Sequence, residues 1–79
     1  MDNKVIYQFE RNNQESVCLT LREYKGRKYL DLRIYFLPVD GTELVPTKKG
    51  LTLEVGLLGE LEKGIQAVKL GLALAILEG

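Results

Sequence analysis

Hydrophobic and polar residues alternate strictly in two neighbouring stretches of the chain. From residue 16 to 24, Val17, Leu19 and Leu21 point one way and the mostly polar residues between them point the other. In residues 29–36 the two sets are Leu30, Leu32, Ile34 and Phe36 against Tyr29, Asp31, Arg33 and Tyr35. Strict alternation predicts strands with one buried and one wet face. Lys25-Gly26 supplies a tight turn, so these strands are predicted to be antiparallel neighbours.

The flanking segments predict two further strands. Residues 4–10 form a candidate first strand, followed by a polar turn at residues 11–14. Residues 38–41 predict a turn that closes the third strand. Residues 43–45 can pair briefly, and Pro46 suits a sheet edge or a loop. Residues 51–53 either finish the fourth strand or place Thr52 as the cap of a helix with Glu54 in its first turn.

From about residue 54 the hydrophobic period changes to three or four residues, which indicates a helix. The stripe consists of Leu57, Leu61, Ile65, Val68 and Leu72. Glycines at positions 56, 59, 64 and 71 weaken this helix, so we expect it to need tertiary or intersubunit packing. The predicted fold class is α+β, in a single domain of residues 1–79. Four antiparallel strands over about residues 4–53 precede one helix over about residues 54–77 (β-β-β-β-α).

After Val68 the helix is apolar nearly all round. A single four-stranded sheet cannot cover a helix on every side, so we expect this end to pack against the same end of a second subunit. A frayed, exposed tail is the alternative. The overall composition favours the dimer, because a chain of 79 residues that is 46% hydrophobic often completes its core by self-association. A monomer remains the alternative.

The sequence also indicates the cellular compartment in which we expect the protein. The single cysteine, Cys18, excludes an intrachain disulfide and fits a reducing environment. The N-terminus lacks the apolar run of a signal peptide. The longest apolar run, residues 70–77, is far shorter than the roughly 20 residues that span a bilayer. We therefore expect a soluble intracellular protein that makes no membrane contact.

No catalytic constellation is present in the sequence, so we expect no enzyme, no cofactor and no metal. There is no histidine, and one thiol cannot build a zinc site. Residues 47–50 lack the spacing of a phosphate-binding P-loop. Asp31, Asp40 and Glu43 could be proposed as a metal cluster, but solvated charges or a strand salt bridge are favoured. Cys18 without a histidine partner is favoured as a plain strand cysteine.

Charge is distributed unevenly. The whole chain is neutral, with 11 basic and 11 acidic residues, but residues 22–49 carry seven basic and four acidic residues, a net charge of +3. Cations beside exposed rings suit a phosphate backbone and unpaired bases. A curved sheet would gather the polar-face cations and rings into one groove, and the loop before the helix could add two lysines. For Tyr29 and Tyr35, cross-strand packing is an equal alternative. For any one lysine, a solvated surface charge is the commoner role.

Three segments together resemble a known family. They are Arg22-Glu23-Tyr24-Lys25-Gly26-Arg27, then Asp31-Leu32-Arg33 with Tyr35-Phe36, and Pro46-Thr47-Lys48-Lys49-Gly50-Leu51-Thr52-Leu53. The pattern is similar to the DNA-binding domain of the transcriptional positive cofactor 4 (p15) family, over roughly residues 17–69 and without gaps from 22 to 36. The resemblance implies a strongly curved four-stranded antiparallel sheet, one C-terminal helix and a homodimer formed through the helices. It also implies binding of single-stranded DNA with little sequence preference.

The resemblance assigns roles to particular residues. It implies that Tyr24 and Phe36 stack on bases. It implies that phosphates or base edges are met by Arg22, Lys25, Arg27, Arg33, Lys48 and Lys49. Strict alternation puts Phe36 on the face opposite Arg33, so a bulge or the strand end must re-aim it, and otherwise it belongs to the core. The expected dimer interface consists of Leu61, Ile65, Val68, Leu72 and Ile76.

The chain departs from the family pattern at several positions. Thr47 replaces a usual glycine, Ile34 replaces a usual acidic residue, and the usual helix tryptophan is missing near Leu57. The serine- and lysine-rich arm of eukaryotic members is absent, so the chain looks like a compact bacterial or phage version. We expect a cytoplasmic protein, or a nuclear one in a eukaryote, that acts in transcription, replication or recombination.

Two other functions stay open at this point. One is a protein-interaction module that uses the apolar helix end and the sheet edge, with transcription or replication proteins as potential partners. The other is a single-stranded RNA binder with the same groove.

Overall fold

The computed structural model describes residues 3–78 and shows one antiparallel sheet followed by one helix. The strands are β1 (Lys4–Glu10), β2 (Glu15–Tyr24), β3 (Arg27–Phe36) and β4 (Val45–Glu54). A 3-10 turn, η1 (Val55–Leu57), leads into helix α1 (Leu58–Glu78). The strands lie in chain order, β1-β2-β3-β4, each hydrogen-bonded to the next. The predicted α+β class and the order of four strands and one helix are confirmed.

Strands β2 and β3 form the regular centre of the sheet. Their register runs without a shift from the Glu15–Phe36 pair to the Tyr24–Arg27 pair. Lys25 and Gly26 join them, with φ angles of 52° and 78°. Two consecutive positive φ values are typical of the two-residue turn whose twist matches a hairpin. The alternation therefore predicted both the pairing and the turn correctly.

Strand β4 corrects part of the prediction. It runs unbroken from Val45 to Glu54, so Lys48 and Lys49 lie in a strand and the predicted loop before the helix is wrong. Thr52 is a strand residue, which confirms the first of the two alternatives for residues 51–53. The residues at 43 and 44 precede the strand. Pro46 is tolerated because β4 is an edge strand, where one missing N–H breaks no ladder.

A bulge interrupts the pairing of β3 with β4. Arg33 pairs with Gly50 and Tyr35 with Pro46, so Ile34 alone faces three residues of β4. Side chains bridge the gap: the Thr47 hydroxyl donates to the Ile34 carbonyl at 2.7 Å, and Arg33 Nη1 donates to the Thr47 carbonyl at 3.0 Å. Such a bulge bends the strand and re-aims its side chains.

The polar side of the sheet is more buried than the apolar side, which is the reverse of the usual arrangement. Among the described residues the buried side chains are Ser16, Cys18, Thr20 and Asp31, and Cys18 is the only hydrophobic one. On the opposite, apolar face Val17, Leu19 and Leu32 are half-buried, while Leu21 and Leu51 are exposed. The helix lies on this apolar side, where Leu61 and Ile65 border an open groove with Phe9 and Leu19. The polar positions are therefore covered by neighbouring side chains of the sheet itself, a pattern expected on the inner side of a curved sheet.

The chain is more extended than a compact globule of its length. Its radius of gyration is 15.5 Å, against about 12 Å for a compact chain of this length. Its accessible surface is 6520 Å², whereas a folded monomer of this mass exposes about 4,800 Å². Along the helix, Ile65, Val68, Leu72 and Ile76 are all more than half exposed. No helix among residues 3–78 is long and apolar enough to cross a membrane.

Gly50 lies where the β4 backbone approaches the β3 backbone so closely that no side chain fits. A Cβ there would lie 2.5 Å from the Leu32 carbonyl oxygen and 2.8 Å from Arg33 Cα, and neither atom can move independently of the sheet. We expect Gly50→Ala to lower the free energy of unfolding by about 1–3 kcal/mol, because overpacking forces the backbone apart. Urea unfolding followed by circular dichroism measures this change.

Gly59→Ala is the matched control for that substitution. No atom lies within 4 Å of a Cβ at Gly59, which is a helical position, so alanine should leave stability unchanged or raise it by up to about 1 kcal/mol. If Gly50→Ala were as stable as the parent chain, the close approach of the two backbones at Gly50 would be contradicted.

Candidate functional site

Cross-strand pairs place one set of side chains on the same side of β2, β3 and β4, here called the polar face. Directly paired residues of an antiparallel sheet share a face. The pairs are Cys18–Arg33, Thr20–Asp31, Arg22–Tyr29 and Tyr24–Arg27 between β2 and β3, and Tyr29–Glu54, Asp31–Thr52 and Arg33–Gly50 between β3 and β4. The polar face thus carries cations and rings, as the alternation predicted.

Asp31 is the centre of the polar face. Its side chain is only 2% exposed. Arg33 donates to it from Nε, at 3.2 Å to both carboxylate oxygens, and from Nη2, at 3.0 Å to Oδ1. The Thr52 hydroxyl donates to Oδ1 at 3.0 Å, and Arg22 Nη2 lies 3.8 Å from Oδ2. One buried carboxylate therefore holds two arginines in place. The predicted strand salt bridge is confirmed.

The surroundings of Asp31 keep it ionised. Burial raises the pKa of its carboxyl, but hydrogen bonds from Arg33 and Thr52 and the charges of Arg33 and Arg22 outweigh burial and hold that pKa below its usual value. The hydrogen bond to Asp31 also raises the pKa of Arg33. With two cations to one anion, the cluster keeps a net positive charge. An open pocket beside it is also lined by Lys48, which adds another positive charge.

The hairpin end of the polar face presents an exposed ring. Tyr24 is 54% exposed, and Lys25 Nζ lies 5.3 Å from the centre of its ring. Arg27 Nη1 lies 3.0 Å from Glu54 Oε1, and both side chains are exposed. An ion pair in water contributes little to stability, so a phosphate can replace Glu54 as the partner of Arg27 at small cost.

Phe36 and Lys49 lie apart from the other predicted site residues. Phe36 pairs with Glu15 and Val45 at the far end of β3 and lies beside the turn at residues 12–15. The unshifted β2–β3 register leaves Phe36 on the face that alternation predicts, where it is 37% exposed, as Leu21 is. Lys49 borders the apolar groove with Leu19. The structure brings together Arg22, Tyr24, Lys25, Arg27, Arg33 and Lys48.

Two members of the polar face, Thr52 and Tyr29, are not among the site residues predicted from the sequence. Thr52 was weighed as a helix cap or a strand residue, and the structure makes it a hydrogen-bond donor to Asp31. Tyr29 was weighed as a ring of the groove or a packing residue. It lines a pocket with Arg22, Tyr24 and Thr52. Period-two alternation placed Tyr29 on the correct side, but no sequence signal reports which side chains of that face meet.

Cys18 has the surroundings of a structural residue. It is buried, and burial raises the pKa of its thiol, so the nucleophilic thiolate is disfavoured. Its Sγ lies 3.9 Å from Gln8 Oε1. No group of three or more metal-ligating side chains is found within the described residues.

The lowered pKa of Asp31 predicts an acid-sensitive fold. A carboxyl whose pKa is depressed on folding contributes stability that is complete above the unfolded pKa, near 3.8, and is lost as the pH falls through the folded value. We expect the free energy of unfolding to fall as the pH drops below about 4. Asp31→Asn should lower stability at pH 7 by about 1–3 kcal/mol, because Arg33 and Thr52 lose a charged acceptor.

The variant Asp31→Asn also distinguishes the contribution of Asp31 to the pH dependence of stability from that of the other carboxyls. Between pH 5 and pH 2, Asp31→Asn should lose less stability than the parent chain, as measured by urea unfolding at each pH. Glu60→Gln is the matched control, since Glu60 is paired only with the exposed Lys63. An identical pH dependence of Asp31→Asn and the parent chain would contradict the assignment.

Comparison with known proteins supports one family. Residues 12–64 match the family described as Transcriptional Coactivator p15 (PC4). The fold is similar to that of a PC4 homologue from Burkholderia pseudomallei, with a TM-score of 0.78 and 26% identity over 86% of this chain and 90% of that one. No curated protein sequence matches the chain.

A second similar structure comes from bacteriophage T5. It is a homologue of the eukaryotic coactivator PC4 implicated in recombination-dependent DNA replication, with a TM-score of 0.63 and 25% identity over 95% of this chain and 82% of that one. Similar structures from a bacterium and a phage agree with the expected compact type. Because the matched segment spans more than half of the sequence and includes β2, β3, β4 and the start of α1, the chain belongs to the PC4 (p15) family of transcriptional coactivators.

Proposed function

We propose that this chain is a non-enzymatic, sequence-tolerant binder of single-stranded DNA that uses the polar face of its sheet. The observation that carries the proposal is the pair of arginines held on buried Asp31 beside the exposed ring of Tyr24. Guanidinium groups bind phosphate through charge-assisted hydrogen bonds, and a tyrosine ring stacks on any unpaired base.

Tethering by Asp31 favours binding because the arginines are ordered before the ligand arrives. An arginine free in solvent loses side-chain entropy when it binds, about 0.5–1.5 kcal/mol for each immobilised side chain. Arg33 is already fixed by its hydrogen bonds to Asp31 and to the Thr47 carbonyl. Part of that entropic cost is therefore met on folding.

An exposed ring favours single strands over duplex. In a duplex each base face is stacked on its neighbours, whereas an unpaired strand can turn its bases onto Tyr24. Stacking and phosphate contact carry no base code, which accounts for the proposed tolerance of sequence. The homologue of phage T5 is implicated in recombination-dependent DNA replication, so replication and recombination join transcription as proposed settings.

The same proposal includes a homodimer formed through the helices. Each chain exposes about 1,700 Å² more than a compact monomer of its mass. Two chains together would have about 3,400 Å² to bury, within the roughly 2,000–5,000 Å² range of obligate homodimers. The exposed stripe of Ile65, Val68, Leu72 and Ile76 and the open apolar face of the sheet supply this surface. Leu61, already half-buried, begins the stripe.

The first test measures affinity for labelled single-stranded and duplex oligonucleotides by fluorescence anisotropy across a salt series. If about six cations meet phosphates, the logarithm of affinity should fall against the logarithm of salt with a slope near −4. Tyr24→Ala should weaken binding by about 1–3 kcal/mol, while Tyr24→Phe, which keeps the ring, should bind as the parent chain does. Absence of binding, or binding indifferent to salt, would refute the proposal.

RNA of the same sequence belongs in that experiment, because the 2′-hydroxyl is the group that distinguishes the two polymers. Tighter binding of RNA than of DNA would favour the RNA alternative. No binding of either polymer would favour a protein-interaction module.

The second test concerns the dimer. We expect Leu72→Glu to sediment as a monomer in analytical ultracentrifugation, because a charge cannot be buried unpaired in an apolar interface. Gln66→Glu adds the same charge at a position predicted to lie on the other side of the helix and should leave the dimer intact. A Leu72→Glu protein that remains dimeric would remove the helices from the interface.

A further inference from the structure

A pocket at the hairpin end of the polar face is not used by the contacts described so far. It is lined by Arg22, Tyr24, Tyr29 and Thr52, with Asn3 and Glu23 at its border. Its volume is about 390 Å³, at the lower end of the roughly 300–1,000 Å³ found for small-molecule sites. Lys25, which lies near the Tyr24 ring, does not line it, so a ligand can enter without displacing that lysine.

The cross-strand neighbours of Tyr29 are unusual for a packing tyrosine. They are Arg22 on β2 and Glu54 on β4, two charged residues rather than apolar ones. A tyrosine that served only cross-strand packing would be expected opposite an aromatic or β-branched partner. The ring is instead half-buried at the wall of the pocket, where it offers a flat apolar surface.

Arg22 is the least satisfied member of the Asp31 cluster. Its one ion-pair contact is long, 3.8 Å from Nη2 to Asp31, and its buried Nε has no hydrogen-bond partner within residues 3–78. A buried donor without a partner costs about 1–3 kcal/mol. A ligand that supplied an acceptor would relieve this cost after a small shift of the guanidinium group.

We propose that this pocket holds one nucleobase of the bound strand, stacked on Tyr29 and accepting a hydrogen bond from Arg22. The inference rests on the proposed function and adds to it a second base position, on Tyr29, next to the exposed ring of Tyr24 that also borders the pocket. Arg22 and Thr52 also line the neighbouring cationic pocket with Arg33 and Lys48. The two pockets therefore lie side by side, as the base and the phosphate of neighbouring positions on one strand require.

The test compares Tyr29→Val with Tyr29→Phe in anisotropy measurements on labelled oligothymidylate. Valine removes the ring but keeps a high strand propensity, and phenylalanine keeps the ring. We expect Tyr29→Val to raise Kd roughly 5- to 150-fold, the range of one lost stacking contact, while Tyr29→Phe binds as the parent chain does. Urea unfolding of all three proteins checks that stability is retained.

Oligomers that carry one abasic position, scanned along the strand, identify the base concerned. At the position held by the pocket, the loss of affinity caused by the abasic site should be large for the parent chain and small for Tyr29→Val. Equal losses in both proteins at every position would overturn the inference. A parent chain that binds, with Tyr24→Ala weakened and Tyr29→Val unchanged, would overturn it and leave the proposed function standing. A parent chain that does not bind defeats both.

Intrinsic fluorescence gives a second readout that does not depend on the valine variant folding. The chain has four tyrosines and no tryptophan, so its emission reports tyrosine alone. If Tyr29 stacks on a base, saturation with oligothymidylate should quench a larger share of the emission of the parent chain than of Tyr29→Phe. Quenching that is no greater in the parent chain than in Tyr29→Phe would overturn the inference.

Discussion

The rest of the structure depends on one constraint: the apolar face of the sheet is exposed in the single chain, while the polar face is more buried. Apolar side chains alternate with polar ones along β2 and β3, so one face must be covered for the sheet to be stable in water. The helix covers it only in part, because Leu61 and Ile65 border an open groove on this face and Leu21 and Leu51 stay exposed. A second chain is the proposed cover. Assigning the apolar face to a partner leaves the polar face open to solvent and to a ligand.

The polar face can stay open because its buried carboxylate has partners. A buried carboxylate without partners would be strongly destabilising, but Asp31 accepts from Arg33 and Thr52 and faces Arg22. The arrangement keeps one cation in excess. On the proposed function, a bound phosphate would complete an existing network instead of ordering a new one. The proposal is compatible with a chain of no net charge because the excess is local, and the compensating acids, such as Glu60 and Glu62, lie on the helix.

The sequence was sufficient for β2, β3 and the hairpin turn, because period two and Lys25-Gly26 are local signals. It was insufficient for β4. Pro46, two lysines and Gly50 look like a loop, and they form a strand only because the bulge opposite Ile34 and the close crossing at Gly50 accommodate them. Alternation along β4 places Lys48 on the same side as Gly50 and Thr52, where it lines the pocket beside Asp31, while Lys49 lies over the apolar groove. Alternation gave Phe36 its face, but its exposure depends on where β3 ends beside the turn at residues 12–15, which is a tertiary contact.

In the hairpin turn, a lysine occupies a position with a positive φ, and stability alone does not explain this residue. Lys25 adopts a φ of 52°, a conformation that costs a residue with a Cβ roughly 1–2 kcal/mol and that asparagine or glycine adopts more readily. Positions that break a local rule are often functional, and the strain there is met by the surrounding structure, here the unshifted ladder of β2 and β3. What the lysine contributes is position. Its ammonium lies 5.3 Å from the centre of the Tyr24 ring, so a strand that stacks on Tyr24 brings its phosphates within reach of a fixed cation. Asparagine or glycine would make a more stable turn and leave that ring without a charge beside it.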